Sequence, residues 1–344
     1  MTSKIALLQA NPVVGDIAGN AMMICGLASI AAEEGASFAV TTELAISGYP
    51  PRDLLIQSDF VTECHQVASS LETEIPVLVG TPVPPVNDRS LPGNGVVRAG
   101  DSVREVTRKQ LLPTYDVFDE ARYFEADERP GIARTIAGLD IGVTICEDAW
   151  QHCGATPNDY DSDPIAQIVE WGRQGVVLDA TVNLSASPYH ANKSGIRIAV
   201  ARSAASSLNH PFLLANQVGG NDDLLFDGRS IIAWPDGTAV VAPAWTRGVL
   251  LTDLSDPKGC TWIGDGEVTI LKPGEELEED ENDLLDAIVI GLADYCRKSG
   301  ISKIVLGLSG GIDSALAACV ASAAVGAQNV TGISMPSKHS SQHS

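Results

Sequence analysis

The sequence predicts a layered α/β domain over residues 1–255, followed by the opening of a second α/β unit. Three observations carry this. Short apolar runs alternate with helix-like segments from Ile5 to Asn216. Hairpin patterns are inserted among them, closed by Ala99-Gly100-Asp101 and Pro235-Asp236-Gly237. Near the C-terminus a strand, a glycine-rich loop, a helix and a strand follow one another as a βαβ unit. Alternation of this kind belongs to sheets layered with helices.

Taken in order, residues 5–9 form an apolar strand, broken by Asn11-Pro12. Residues 20–34 are an Ala-rich helix stopped by Gly35, and residues 38–42 a strand ending on Glu43. Residues 60–73 are helical and 77–80 a strand, and 82–93 are rich in turn formers. Residues 95–98 and 102–108 alternate as a hairpin whose second strand delivers Lys109. A hairpin of residues 132–136 and 139–145 delivers Cys146. Helices at 165–174 and 195–208 alternate with strands at 176–183 and 212–216, and Gly219 to Asp223 make a turn. Residues 230–234 and 238–242 form the last hairpin. The pattern is irregular from 255 to 274, and an acidic run at 275–283 reads as a solvated face. We therefore expect domains at 1–255 and 284–344 with a linker at 256–283. The second domain comprises a helix at 284–298, strands at 304–308 and 330–334, and a helix at 315–325. One βαβ unit cannot cover both faces of its own parallel sheet, so this domain is expected to be cut short.

Composition narrows the function. The 344 residues contain 22 Lys and Arg against 44 Asp and Glu, a formal charge of −22. This argues against nucleic acid or an anionic membrane as the main partner. Seven scattered cysteines with no CxxC pair imply reduced thiols and a cytoplasmic protein. The six histidines show no metal-site spacing, no apolar run reaches transmembrane length, and the N-terminus lacks the pattern of a signal peptide.

Three strand ends carry Glu43, Lys109 and Cys146, a set suited to attack on an amide or nitrile carbon. A thiol is mostly protonated at neutral pH, and a carboxylate within reach can take its proton and return it to departing ammonia. A lysine ammonium and the backbone N–H of Glu147 can stabilise the oxyanion. No histidine is needed.

The segments Thr42-Glu43-Leu44-Ala45-Ile46-Ser47-Gly48-Tyr49-Pro50-Pro51-Arg52-Asp53, Arg108-Lys109-Gln110-Leu111-Leu112-Pro113 and Ile145-Cys146-Glu147-Asp148-Ala149-Trp150 resemble, in order, the glutamate, lysine and cysteine motifs of the nitrilase (carbon–nitrogen hydrolase) superfamily. The variants here are most similar to the glutaminase domains of glutamine-dependent NAD+ synthetases. The resemblance covers nearly all of residues 1–255. It implies an α-β-β-α sandwich, Glu43 as general base, Lys109 as oxyanion stabiliser, Cys146 as nucleophile and Glu120 as the second glutamate orienting the site. It also implies that L-glutamine is held by Glu147, Tyr115, Ser187 and Lys193, with Tyr49 and Phe118 lining the pocket. A homo-oligomer is expected from the superfamily.

Ser309-Gly310-Gly311-Ile312-Asp313-Ser314 lies between a strand and a helix, where glycine N–H groups and the helix dipole favour phosphate. It lacks the spacing and lysine of a Walker A loop. It resembles the pyrophosphate loop of Rossmann-like ATP pyrophosphatases, which implies ATP as substrate and Asp313 near Mg2+. The last residues, from Ser334 to Ser344, are similar to the same synthetase segment. The first reading is therefore a truncated synthetase, competent for glutamine hydrolysis, whose ammonia would amidate deamido-NAD+ in a longer protein. A free-standing amidase and a catalytically silent fragment that oligomerises are the alternatives.

Overall fold

Alternation along the first strand decides the layering. In β1 (Lys4–Gln9), Ile5 and Leu7 pack in one apolar cluster and Ala6 and Leu8 in another, and all four are fully buried. Successive side chains point to opposite faces of a strand, so β1 must be covered on both sides. The computed structural model describes residues 4–87, 90–100, 104–128, 130–254, 256–274 and 281–335. It comprises two units, residues 1–218 with 226–278, and residues 219–225 with 279–344.

In the first unit, α1 (Ile17–Glu33) is capped by Asp16, whose carboxylate accepts from Gly19 N at 3.0 Å. Then come β2 (Phe38–Val40), α2 (Ser58–Ser69), β3 (Val77–Val83), β4 (Gly93–Ala99) and β5 (Arg104–Arg108). They are followed by β6 (Gly131–Ile136), β7 (Leu139–Ile145), α3 (Pro164–Arg173), β8 (Ala180–Ser185), α4 (Lys193–Leu208) and β9 (Phe212–Asn216). A hairpin of β10 (Val218–Asn221) and β11 (Leu224–Asp227), whose residues 219–225 belong to the second unit, precedes the first unit's β12 (Ile231–Ala233), β13 (Ala239–Val241), β14 (Gly248–Asp253), β15 (Asp256–Gly264) and β16 (Glu267–Leu271).

One sheet has the order β16-β15-β14-β1-β2-β3-β4-β5, the other β13-β12-β9-β8-β7-β6. Strands β1, β2 and β3 run parallel, as do β7, β8 and β9. Between the sheets lie Ile5, Leu7, Phe38, Val40 and Leu78 from the first, against Val143, Val182, Leu184, Leu213 and Ile232 from the second. Helix α1 covers the far face of the first sheet with Ile24, Leu27 and Ala28, and α2 with Cys64 and Ala68. Ile165 of α3 and Ile198, Ala201 and Ala205 of α4 cover Phe212 and Leu214 on the far face of the second. The expected α-β-β-α sandwich is present.

The expected linker differs. Within 256–283, β15 pairs with β14 from Gly248↔Gly264 onward, and β16 pairs with β15. These strands extend the eight-stranded sheet, so the first unit runs past 255. The last of them, β16, lies at the sheet edge with Val268 58% and Ile270 61% exposed. The predicted turn at 219–223 is part of a hairpin, β10–β11, whose first strand carries Gly219 and Gly220 and so reads as a turn. The acidic run over 275–280 and the stretch 336–344 lie outside the described residues.

The second unit contains α5 (Glu281–Lys298), β17 (Ile304–Leu308), α6 (Ile312–Val325) and β18 (Val330–Ser334), with β17 and β18 parallel. Its hairpin tip is stitched to α5: Gly220 N donates to Asp294 Oδ2 at 2.8 Å, and Lys298 Nζ donates to Gly220 O at 2.8 Å and Asn221 Oδ1 at 2.7 Å. Val305, Ile312, Leu316 and Ile333 are 64%, 83%, 58% and 45% exposed. The single βαβ unit leaves apolar surface open, as expected. Among the described residues no helix is long and apolar enough to cross a membrane.

Candidate active site

Glu43, Lys109 and Cys146, the candidate reacting groups, each stand at a strand end, the usual place for sites in α/β sheets. Glu43 follows β2, Lys109 follows β5, Cys146 follows β7, Ser187 follows β8, and Asn216 closes β9. Glu43 N donates to Ser185 O across the sheets at 3.4 Å. Behind Glu43 the backbone of Gly80 comes so close to Thr42 O and Leu44 N that a side chain at 80 would collide with them.

Lys109 is fully buried between two carboxylates. Its Nζ donates to Glu43 Oε1 at 2.8 Å and to Glu120 Oε2 at 2.8 Å. Glu43 is held further by Asn94 Nδ2 at 2.7 Å on Oε1 and by Ala186 N at 3.1 Å on Oε2. Burial alone would lower the lysine pKa, but Glu120 and Glu43 outweigh it and raise it well above normal. The ammonium is therefore permanent. Burial, offset by Lys109, lifts Glu120 to about 7.

Cys146 is 6% exposed and turns the chain from β7 into a short 3-10 segment at φ +44, a left-handed value uncommon outside glycine. Asp148 stabilises this elbow: Oδ2 accepts from Ile145 N at 3.0 Å, and Oδ1 accepts from Gln110 N at 3.0 Å and Leu111 N at 2.9 Å. One carboxylate thus ties the Cys146 turn to the residues after Lys109. Burial and the Glu43 charge push the Cys146 thiol well above its usual range, and Lys109 pulls the other way. The resting thiol is neutral and close enough to Glu43 to feel its charge.

A cavity of about 230 Å3 opens on Cys146 and is lined by Tyr115, Phe118, Glu147, Trp150, Ser187 and Lys193, among others. Five of the six residues expected to hold substrate therefore share one wall with the thiol. The sixth, Tyr49, does not line it. It is 3% exposed, its hydroxyl donates to Glu120 Oε1 at 2.8 Å, and its ring meets Phe226 edge-on at 6.1 Å. Tyr49 therefore bonds the carboxylate that Lys109 pairs with, rather than facing the cavity. Ser187 Oγ is buried without a protein partner, an atom left for a ligand. Lys193 Nζ stands 5.4 Å from the Trp150 ring centroid. Burial, reinforced by the nearby Arg197 charge, pulls Lys193 down to about 8.

Sequence reasoning missed several groups. Asn94 lies in Pro92-Gly93-Asn94-Gly95, which reads as a turn. Asp148 was part of a quoted motif without a role. Arg197, on α4, is fully buried on Asp227, with Nη2 2.9 Å from Oδ1 and Nη1 3.1 Å from Oδ2, and Arg229 Nη1 lies 3.3 Å from Oδ2. Gly228 O beside this cluster accepts from Asn216 Nδ2 at 2.7 Å, and Asn216 Oδ1 accepts from Ser187 N at 2.9 Å. The buried ions thus brace the wall that carries Ser187. Among the described residues no group of three or more potential ligands could hold a metal ion.

In the second unit, the loop between β17 and α6 is wound on its own hydroxyls. Ser314 Oγ lies 3.1 Å from Ser309 Oγ and donates to Gly311 O at 3.0 Å, and Gly311 N donates to Ser309 Oγ at 3.3 Å. Gly310 adopts φ +79, and Gly311 caps α6. Ser309, Gly310, Gly311, Ile312 and Asp313 are exposed, so the loop and helix N-terminus are open to an anion, with Asp313 in the first helical turn. The arrangement suits phosphate.

Residues 4–259 match the carbon–nitrogen hydrolase family, and residues 284–344 match NAD synthase. A glutamine-dependent NAD+ synthetase from Synechocystis sp. is 39% identical over 99% of this chain and 61% of its own length. One from Aquifex aeolicus is 34% identical over 99% of this chain and 62% of its own. The chain thus spans about three-fifths of these relatives. The solved structure of the Acinetobacter baumannii glutamine-dependent NAD+ synthetase, in complex with ADP, superposes with a TM-score of 0.82 at 28% identity, covering 99% of this chain and 61% of that one. An amidase of the nitrilase superfamily from Nesterenkonia AN1 superposes with a TM-score of 0.60 at 20% identity over 74% of this chain and 92% of its own. At that identity the likeness is one of fold.

Proposed function

This chain belongs to the carbon–nitrogen hydrolase family, and on that premise we propose that its first unit hydrolyses L-glutamine to glutamate and ammonia. The observation that carries the reading is the shared cavity: Glu147 and Lys193, an anion and a cation, both line the space onto which Cys146 opens, matching the charges of an amino acid's α-ammonium and α-carboxylate. An aliphatic amide would leave both without a counter-charge.

Glutamine lies with its side-chain amide at Cys146. Glu43 takes the thiol proton as Sγ attacks the amide carbon. Lys109 and Glu147 N–H hold the developing oxyanion. Glu43 returns the proton to the nitrogen, the C–N bond breaks, ammonia leaves and a thioester remains. Glu43 then takes a proton from water, which attacks the thioester, and glutamate departs with the thiol restored. Glu120 and Tyr49 hold Lys109 in place throughout.

The second unit takes ATP. Ser309, Gly310, Gly311, Ile312, Asp313 and Ser314 receive its phosphates, with Asp313 near Mg2+. When bound, ATP supplies the adenylyl group that activates deamido-NAD+ for amidation by ammonia. That whole reaction is proposed for the longer architecture of the relatives, and the seven free thiols support a cytoplasmic setting. The test is glutamate release from L-glutamine by the purified 344-residue chain, beside Cys146→Ala. Turnover lost in the variant supports the reading, whereas a preference for simple aliphatic amides overturns it.

A further inference from the structure

The segment between Trp150 and α3 is irregular in sequence, yet it is tied at both ends. His152 Nδ1 lies 2.9 Å from Asp163 Oδ2 and Nε2 lies 2.9 Å from Ser207 Oγ. Asp163 also caps α3 by accepting from Ala166 N at 2.9 Å. Thr156 Oγ1 donates to Gln151 Oε1 at 2.7 Å, and Ser162 Oγ donates to Gln110 Oε1 at 2.9 Å. Ala155 and Pro157 of this strap line the Cys146 cavity. The strap also carries Tyr160, whose hydroxyl donates to Glu147 Oε1 at 3.2 Å. Tyr115, from the far side, donates to the same oxygen at 2.6 Å.

We propose that Tyr160 is a positioning residue for substrate selection: with Tyr115 it saturates Glu147 Oε1 and leaves Oε2 for the α-ammonium of the substrate. This rests on the glutamine reading. A carboxylate oxygen offers two lone pairs, and two hydroxyls fill them. No other described side chain bonds Glu147, which lines the Cys146 cavity and is 5% exposed, so its remaining oxygen is available there to a cation. Burial and the Glu147 charge raise the Tyr160 phenol, which remains a donor at working pH. A site built around a buried polar group rejects an analogue lacking the complementary group by large factors. Tyr160 thereby converts a loop with no reacting atom into part of the discrimination between an amino acid and a plain amide.

The test measures binding of L-glutamine and of 4-carbamoylbutanoate, which lacks the α-amino group, to the full chain carrying Cys146→Ala. Adding Tyr160→Phe should weaken glutamine about tenfold or more, the range for a hydrogen bond to a charged group, and leave 4-carbamoylbutanoate unchanged. Tyr115→Phe removes the other donor without touching the strap and should shift the ratio in the same direction. Equal weakening of both ligands by Tyr160→Phe, or an unchanged ratio, overturns the role of Tyr160 alone. A parent protein that binds both ligands equally, or neither, overturns the glutamine reading and this inference with it.

Discussion

The two units dispose of their polar groups in opposite ways. Around Cys146, Lys109, Glu43 and Glu120 are sealed from water and bonded to one another at 2.8 Å. In the loop before α6, Ser309, Gly310, Gly311 and Asp313 face solvent and bond only locally. The contrast teaches what each chemistry requires. On the proposed function, breaking an amide would use a proton acceptor and a cation whose charges are not screened by water, and the sandwich holds such a pair in its interior. Holding phosphate needs backbone N–H groups and a helix dipole, which work at an open surface.

The sharpest way to break this contrast is Lys109→Met. It leaves Glu43 and Glu120 buried without their cation, a loss worth about 3–5 kcal/mol in comparable buried pairs. Glutaminase turnover should fall to background and the denaturation midpoint should drop. A variant of unchanged stability would mean the cluster is wetter than its geometry indicates.

Asp148→Asn comes next. An amide can accept at one end only, so one of the three N–H groups on Asp148 faces a donor, costing about 1–3 kcal/mol. Thermal unfolding should register the loss, and activity should fall because the Cys146 turn and the Lys109 loop share this anchor. Unaltered activity would show that they are positioned independently.

A pH profile probes the substrate end. Lys193 is held down to about 8, so its charge is complete below that pH and lost above it. The kcat/KM for glutamine should therefore decline above about pH 8, approaching roughly tenfold per unit, through KM. Lys193→Arg should move the decline to higher pH. A flat profile to pH 10 would remove Lys193 from carboxylate recognition.

The smallest effect belongs to the open loop. Asp313→Ala should leave the unfolding midpoint unchanged while weakening Mg-ATP binding, measured by titration calorimetry. A marked stability loss would place that loop with the sealed site.

The candidate reacting groups were legible because each stands at a predicted strand end, after an apolar run for Glu43 and Cys146 and after an alternating hairpin strand for Lys109. The sequence made the sandwich legible through the two-sided burial of strands such as β1. Tyr160 was hidden in a stretch of turn formers whose shape is set by distant partners, Gln110 and Ser207. Arg197 was hidden because a charge on a helix reads as an outward face unless Asp227 is known to lie beneath it. The strands β15 and β16 were hidden by glycines and by an edge position that leaves Val268 and Ile270 exposed.

The anchoring by Asp148 has a further consequence. Gln110, Leu111 and Ile145 belong to segments leaving different sheets, yet their amide hydrogens all end on one carboxylate. Whatever opening frees one must loosen the others. Their hydrogen-exchange rates should therefore move together, giving the spacing between cation and nucleophile a spectroscopic signature that requires no substrate.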